Sequence, residues 1–337
     1  LKQRKALLMN HNFFLTQLYN WIKNGHSACL VIVVSTWGSA PRQPGSLMLV
    51  RDDLHLEGSV SGGCVEGEVI RLSQEAMESG LPCLKQFGVA DETAWEVGLS
   101  CGGRISVLIL PVTDTGIPVT ILKEAVMAEN KRGFLDVEFM LANIPKITVS
   151  ATQPKSSLHV VHSSNLEEEK SLFNLRLRPK NQLVIIGAGH ISQVLSRLAL
   201  NMELDTTIID PRAVFLSKER FPDVTIMQGW PQEVMPQLYI DAQTAIVTLT
   251  HDPKIDDPAL AHSLKTDAYY IGCLGSSKTH QLRLSRLKEL GIPKIDLARL
   301  HGPAGIPLGG RAASEIALSI LAELVSKYHK RGNQKVS

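Results

Sequence analysis

The chain predicts two α/β units in series: an N-terminal α+β unit, then a doubly wound parallel sheet with helices on both faces. Three observations carry this. From Gln182 to His329, short apolar runs alternate with helical stretches, the pattern of βαβ units. Before Ser163, β-rich runs are broken by glycine loops without that alternation. Between the two lies a polar, charged stretch that ends Arg176-Leu177-Arg178-Pro179-Lys180. The expected division is 1–165 for the first domain, 166–180 for a linker and 181–337 for the second domain.

Element by element, Phe13 to Lys23 has helical periodicity, and Ala28 to Thr36 is a β-rich run ending in the loop residues Trp37-Gly38-Ser39-Ala40-Pro41-Arg42. Gly45 to Val50 and Leu56 to Val60 read as strands around an Arg51-Asp52-Asp53 turn. Val65 to Ser79 reads as a helix with Glu66 and Glu68 in its first turn, where acids favour the dipole. Ile105 to Val112 is a strand, Ile117 to Asn130 a helix, Leu135 to Leu141 a strand, and Leu158 to His162 a weak strand. In the second half the expected strands are Gln182 to Ile186, Thr206 to Ile209, Val224 to Met227, Thr244 to Leu249 and Ala268 to Cys273. The expected helices are His190 to Asn201, Gln232 to Leu238, Pro258 to Lys265, Lys278 to Leu290 and Ala312 to His329.

Composition narrows the function. With 337 residues and 44% hydrophobic content the chain can bury two sizeable cores. A net charge of +2 gives no basis for nucleic acid or a membrane surface as partner, and no apolar run approaches the roughly 20 residues of a bilayer span. The start of the chain lacks a secretory apolar segment. Five scattered cysteines make a poor disulfide framework, and together these features predict a reducing cytoplasm.

Two regions carry chemistry. In the second half, Gly187-Ala188-Gly189 follows a strand and opens a helix, and Asp210 closes the next strand about 20 residues on. That is the layout of a Rossmann-like dinucleotide site: pyrophosphate over the helix N-terminus, acid on the ribose hydroxyls. Ser192 stands where a third glycine is usual, which predicts a wider helix–strand spacing. His190 either caps the helix or meets an anionic ligand. Asp252, Asp256 and Asp257 either cap a helix or bind Mg²⁺. Gly275-Ser276-Ser277-Lys278 is a second anion-binding turn on the same sheet edge, and Cys273 reads as a small buried residue.

In the first half, two cysteines sit in mirrored glycine settings, Gly62-Gly63-Cys64 and Cys101-Gly102-Gly103. Cys64 just before a helix should feel its dipole and favour thiolate. The Gly62 and Gly63 amides form a concave anion site, and Arg42 and Arg104 flank the two loops. If the loops converge, thiols, guanidinia and amides share a pocket suited to an anion bearing a soft metal or sulfur. Inert core cysteines, a catalytic nucleophile and a zinc site stay open as alternatives, although neither a histidine motif nor further zinc ligands accompany them.

The segments G-S-A-P-R-Q-P-G-S (38 to 46), G-S-V-S-G-G-C-V-E-G (58 to 67) and E-V-G-L-S-C-G-G-R-I (96 to 105) resemble the N-terminal signature of XdhC/CoxI proteins. G-A-G-H (187 to 190), T-H-D-P-K-I-D-D-P-A-L (250 to 260), Y-Y-I-G-C-L-G-S (269 to 276) and R-L-H-G-P-A-G (299 to 305) extend the likeness through the second half. The chain departs from the family at Ser277, at Ala312-Ala313-Ser314 and at Pro307, all in that half.

The resemblance implies an accessory factor of xanthine dehydrogenase-type molybdenum hydroxylases. Such a factor binds the molybdenum cofactor (molybdopterin), supports its sulfuration by a cysteine desulfurase and delivers it to the apoenzyme. The family is better described as cofactor chaperones than as catalysts. The implied cofactor-binding residues are Arg42, Ser61, Gly62, Gly63, Cys64, Glu66, Cys101, Gly102, Gly103 and Arg104, with Cys64 and Cys101 facing the metal. Gly187, Gly189, His190 and Asp210 are the corresponding residues of the second half, where NAD(P) is the alternative ligand and an NAD(P)-dependent oxidoreductase the alternative function. A homodimer is the default assembly.

Overall fold

A computed structural model describes residues 11–38, 42–88, 103–143, 146–152 and 172–331. The chain forms two compact units, residues 1–179 and 180–337.

The first unit is built on a five-stranded antiparallel sheet. Its strands are β1 (Ala28–Trp37), β2 (Leu47–Arg51), β3 (Leu56–Gly58), β4 (Cys83–Phe87) and β5 (Arg104–Pro111), in the order β3-β2-β1-β5-β4. Alternation sorts each strand between two cores. Leu30, Ile32 and Val34 of β1 join Leu47, Leu49, Leu108 and Leu110 on one face; Cys29, Val31 and Val33 join Met48, Val50, Val107 and Ile109 on the other. The first face is covered by helices α1 (His11–Lys23) and α3 (Val119–Asn130). The second is covered by α2 (Glu66–Ser79), through Val69, Leu72 and Ala76. A three-stranded antiparallel sheet completes the unit: β6 (Leu135–Asn143) lies between β7 (Lys146–Thr152) and β8 (Leu172–Leu177).

The second unit is the doubly wound parallel sheet that the alternation predicts. Its strands are β9 (Gln182–Ile186), β10 (Asp205–Asp210), β11 (Thr225–Gln228), β12 (Thr244–Thr248), β13 (Tyr270–Cys273) and β14 (Leu300–His301), in the order β11-β10-β9-β12-β13-β14. Numbered within the unit this is 3-2-1-4-5-6, the Rossmann order, which reverses direction between β9 and β12. Helices α4 (His190–Asn201) and α9 (Ala313–Arg331) pack one face, through Leu195, Ala199, Ala317, Ile320 and Leu324. The other face carries α5 (Pro231–Val234), α6 (Pro253–Ser263) and α7 (Ser277–Glu289); α8 (Lys294–Leu297) follows.

Three local findings correct the sequence reading. Residues 172–177, expected in a linker, form β8 instead: Phe173, Leu175 and Leu177 alternate into the first core, and Arg176 pairs with Asp136 across to β6. Helix α6 starts earlier than Pro258, because the Asp252 side chain accepts from the Lys254 amide and Pro253 suits the first helical position. Strands β4 and β7 have no counterpart among the expected elements. The weak strand at 158–162 lies outside the described residues.

Candidate functional site

Strand register brings the chemistry-bearing loops of the first unit to one side of its sheet. Trp37, the last residue of β1, pairs with Arg104, the first of β5. The chain leaves β1 at that end and returns as β2 at Leu47, opposite Ile32, and Gly58 pairs with Met48, level with Val31, before the Ser59–Val65 loop begins. Arg42, Cys64, Gly103 and Arg104 therefore lie on loops or strand ends on this side of the sheet, with Arg104 level with Trp37 at the far end of β1. Cys101 and Gly102 lie outside the described residues.

The Ser59–Val65 loop is ordered around Glu66. This carboxylate accepts from the amides of Ser61 (2.9 Å), Gly62 (3.0 Å) and Gly63 (2.9 Å) and from the hydroxyls of Ser59 (2.8 Å) and Ser61. The Ser61 hydroxyl in turn accepts from the Val65 amide at 2.9 Å. Burial opposes ionisation of Glu66, but the surrounding donors outweigh it and bring its pKa down to about 2. The nest expected to be free for a ligand is thus filled by the first residue of α2, which folds back on its own N-terminal turn. Gly62 and Gly63 make this possible with φ of 79° and 116°.

Cys64 stands near the end of this loop, just before α2, half-buried against the core cluster of β1, β5 and α2. Burial pushes the Cys29 and Cys273 thiols up to about 12 and raises Cys83 as well, which disfavours thiolate. Arg104 is exposed, with its guanidinium 5.8 Å from the ring of Trp37, itself 69% exposed. Among the described residues, no carboxylate pairs with Arg42 or Arg104.

In the second unit the glycine turn lies where the strand order reverses. Gly187 has φ 102°, and a Cβ there would come within 2.4 Å of the Thr250 side chain. Ser192 takes the third-glycine position: it is fully buried and its hydroxyl donates to the Gly187 carbonyl at 2.5 Å. His190 begins α4, exposed, with Nδ1 3.5 Å from the Gln193 side-chain oxygen.

Asp210 is fully buried and fully engaged. One oxygen accepts from the Arg212 amide and Nε, both at 2.9 Å; the other accepts from the Ala188 amide and an Arg212 terminal nitrogen, both at 2.8 Å. Burial raises its pKa, and these donors more than reverse that, so it stays below the usual carboxylate range. The spacing predicts that Asp210 receives ribose hydroxyls; in the structure its acceptor positions are taken. Sequence reasoning misses Arg212, although an arginine two residues beyond the spaced acid is a readable signal.

Further along the same sheet edge, Asp252 caps α6. Asp256 accepts from the Thr250 hydroxyl at 2.6 Å and faces Arg283 at 3.7 Å, and Asp257 pairs with Arg286 at 2.6 Å. These contacts replace the Mg²⁺ reading, and among the described residues no His/Cys/Asp/Glu group is placed to hold a metal ion. Ser276 caps α7 by accepting from the Thr279 amide. No helix among the described residues is long and apolar enough to cross a membrane.

A glycine-loop α+β unit carrying a half-buried thiol, followed in the same chain by a Rossmann unit, defines a two-part α/β protein. The chain belongs to the XdhC and CoxI family: residues 21–88 match the XdhC and CoxI family and residues 183–324 the XdhC Rossmann domain. Among relatives, the molybdenum cofactor insertion chaperone PaoD of Escherichia coli K12 is 28% identical, aligned over 96% of this chain and 91% of its own. A probable xanthine dehydrogenase subunit from Bacillus subtilis 168 is 25% identical over 93% of this chain and 96% of its own. A crystal structure described as a xanthine dehydrogenase from Bacillus halodurans superposes with a TM-score of 0.80 at 25% identity, covering 98% of each chain.

Proposed function

We propose that this chain is a cofactor chaperone: it binds molybdenum cofactor, supports its sulfuration by a cysteine desulfurase and delivers it to a xanthine dehydrogenase-type enzyme. The observation that carries the reading is the set of groups on the loops and strand ends along one side of the first unit's sheet. A half-buried thiol, two arginines without carboxylate partners among the described residues and an exposed tryptophan meet the needs of an anionic, planar, metal-bearing cargo. Arg42 and Arg104 bind its phosphate by charge-assisted hydrogen bonds. Trp37 offers a stacking face to the pterin. Cys64 presents sulfur to a soft metal centre, with Cys101 as the second thiol. Glu66 plays a different part: it fixes the loop that presents Cys64 and leaves its amides unavailable to the cargo. The relatives' names, one a cofactor insertion chaperone, support the same reading.

The test is cofactor loading. Protein purified from a host that makes the cofactor should carry pterin and molybdenum in near-equal amounts, and Cys64→Ser should lose at least about tenfold of both. Full loading in Cys64→Ser removes the thiol from the site, and an unloaded wild-type protein removes the reading itself. A second reading is favoured by one further observation, the 3-2-1-4-5-6 order with its glycine turn at the reversal: the second unit binds a nucleotide. A dinucleotide-dependent oxidoreductase is the narrower form of that reading.

A further inference from the structure

We infer that the nucleotide end of the second unit is built for a ribose that carries a phosphate, as in 2′,5′-ADP or the adenosine half of NADP(H), and not for an unmodified ribose diol. The inference rests on the reading that this unit binds a nucleotide. Its starting point is Asp210. An ionised carboxylate offers about four lone-pair positions. The Ala188 amide, the Arg212 amide and two Arg212 side-chain nitrogens fill all four. A ribose hydroxyl that needs an acceptor finds none on Asp210.

The donors at the same place are in surplus. Arg212 spends two of its five N–H groups on Asp210 and keeps 43% of its side chain exposed. A second arginine stands beside it. Arg220 donates one terminal nitrogen to the Ala188 carbonyl at 2.9 Å, and its buried Nε has no hydrogen-bond partner. Both guanidinia lie over the Phe215 ring, at 4.5 and 5.5 Å. Phe215 thus fixes the two cations, and the glycine turn is tied to each of them: through Asp210 to Arg212, and directly to Arg220.

Charge and chemistry then agree. Asp210 neutralises one guanidinium, and among the described residues no carboxylate pairs with the other. Asp256, across the strand ends, is engaged by Thr250 and faces Arg283, and Asp252 caps its own helix. A dianionic phosphate placed on the ribose at the end of β10 gains charge-assisted bonds that a diol cannot make. An arginine near the end of the second strand is also the device by which dinucleotide folds accept a 2′-phosphate.

The experiment is calorimetric titration of the full chain with 2′,5′-ADP and with 5′-AMP, followed by NADPH and NADH. The expected result is at least about tenfold tighter binding of the 2′-phosphorylated member of each pair. In Arg212→Gln the preference should fall to about one, because the phosphate loses its guanidinium and Asp210 regains acceptor positions for a diol, and in Arg220→Gln it should fall partway. If Arg212→Gln proves unstable, the wild-type preference should still shrink as salt rises, because the added contact is ionic. Equal binding of both members, or tighter binding of the member without the 2′-phosphate, overturns the inference and leaves nucleotide binding standing. No binding of any of the four at millimolar concentration overturns both. Neither result touches the cofactor reading of the first unit.

Discussion

The two glycine turns of this protein solve one problem in opposite ways. Each turn precedes a helix and gathers backbone amides where a ligand's anion would sit, and each holds a carboxylate from the protein itself. At Gly62–Gly63 the carboxylate is Glu66, a few residues on in the same loop-to-helix turn. At Gly187–Gly189 it is Asp210, delivered from the next strand and already paired with Arg212. The first turn is closed by local sequence and can form as α2 forms. The second depends on β9 and β10 lying side by side, so its electrostatics are a property of the sheet.

That contrast can be broken experimentally, starting with the largest effect. Asp210→Ala leaves the Ala188 and Arg212 amides and a guanidinium without their acceptor, and should lower the stability of the second unit by about 4 kcal/mol. Urea unfolding followed through the second unit reads this; a loss below about 1 kcal/mol would mean that water replaces the carboxylate. Next comes a matched pair of glycine substitutions. Gly187→Ala adds a Cβ 2.4 Å from Thr250 at φ 102° and should cost about 3 kcal/mol. Gly62→Ala, at φ 79° with no atom within 4 Å of the new Cβ, should cost about 1 kcal/mol. Equal midpoints for the pair in thermal melts would erase the distinction between a turn packed against its neighbours and one that is open.

The smallest effect concerns acid. Glu66 ionises near 2 in the folded protein and near 4.3 in an unfolded chain. A folded pKa below the unfolded one means that its contribution is fully present above about pH 5 and is lost as pH falls toward 2. Glu66→Gln should therefore lower stability at pH 7 by about 1 kcal/mol and flatten the decline of stability between about pH 5 and 2. An unchanged acid profile in that variant would show that Glu66 does not hold the loop.

Much of this is legible in the sequence, for physical reasons that differ by element. β9, β12 and β13 are buried on both sheet faces, so they read as unbroken apolar runs, and the glycine turn marks where β9 ends. The Cys64 loop is visible as a glycine cluster before a helix. What escapes is contact between side chains. Glu66 reads as an acid in a first turn, favourable to the dipole, and nothing in the letters says that it reaches back to five donors. β4 escapes because Cys83–Phe87 is a half-exposed edge strand with little alternation. β8 escapes because Asn174 and Arg176 sit among its apolar residues, inside a charged stretch that resembles a tether.

β8 also sets a timetable. The first unit's small sheet has β6 at its centre, and one side of β6 stays bare until residues 172–177 are available. A ribosome that has exposed residues only as far as 165 presents a nascent chain with an open, apolar-backed strand edge. The first unit therefore matures late in its own synthesis, almost at the moment the second begins. A fragment cut at 165 should aggregate on expression, whereas one cut at 179 should stay in solution.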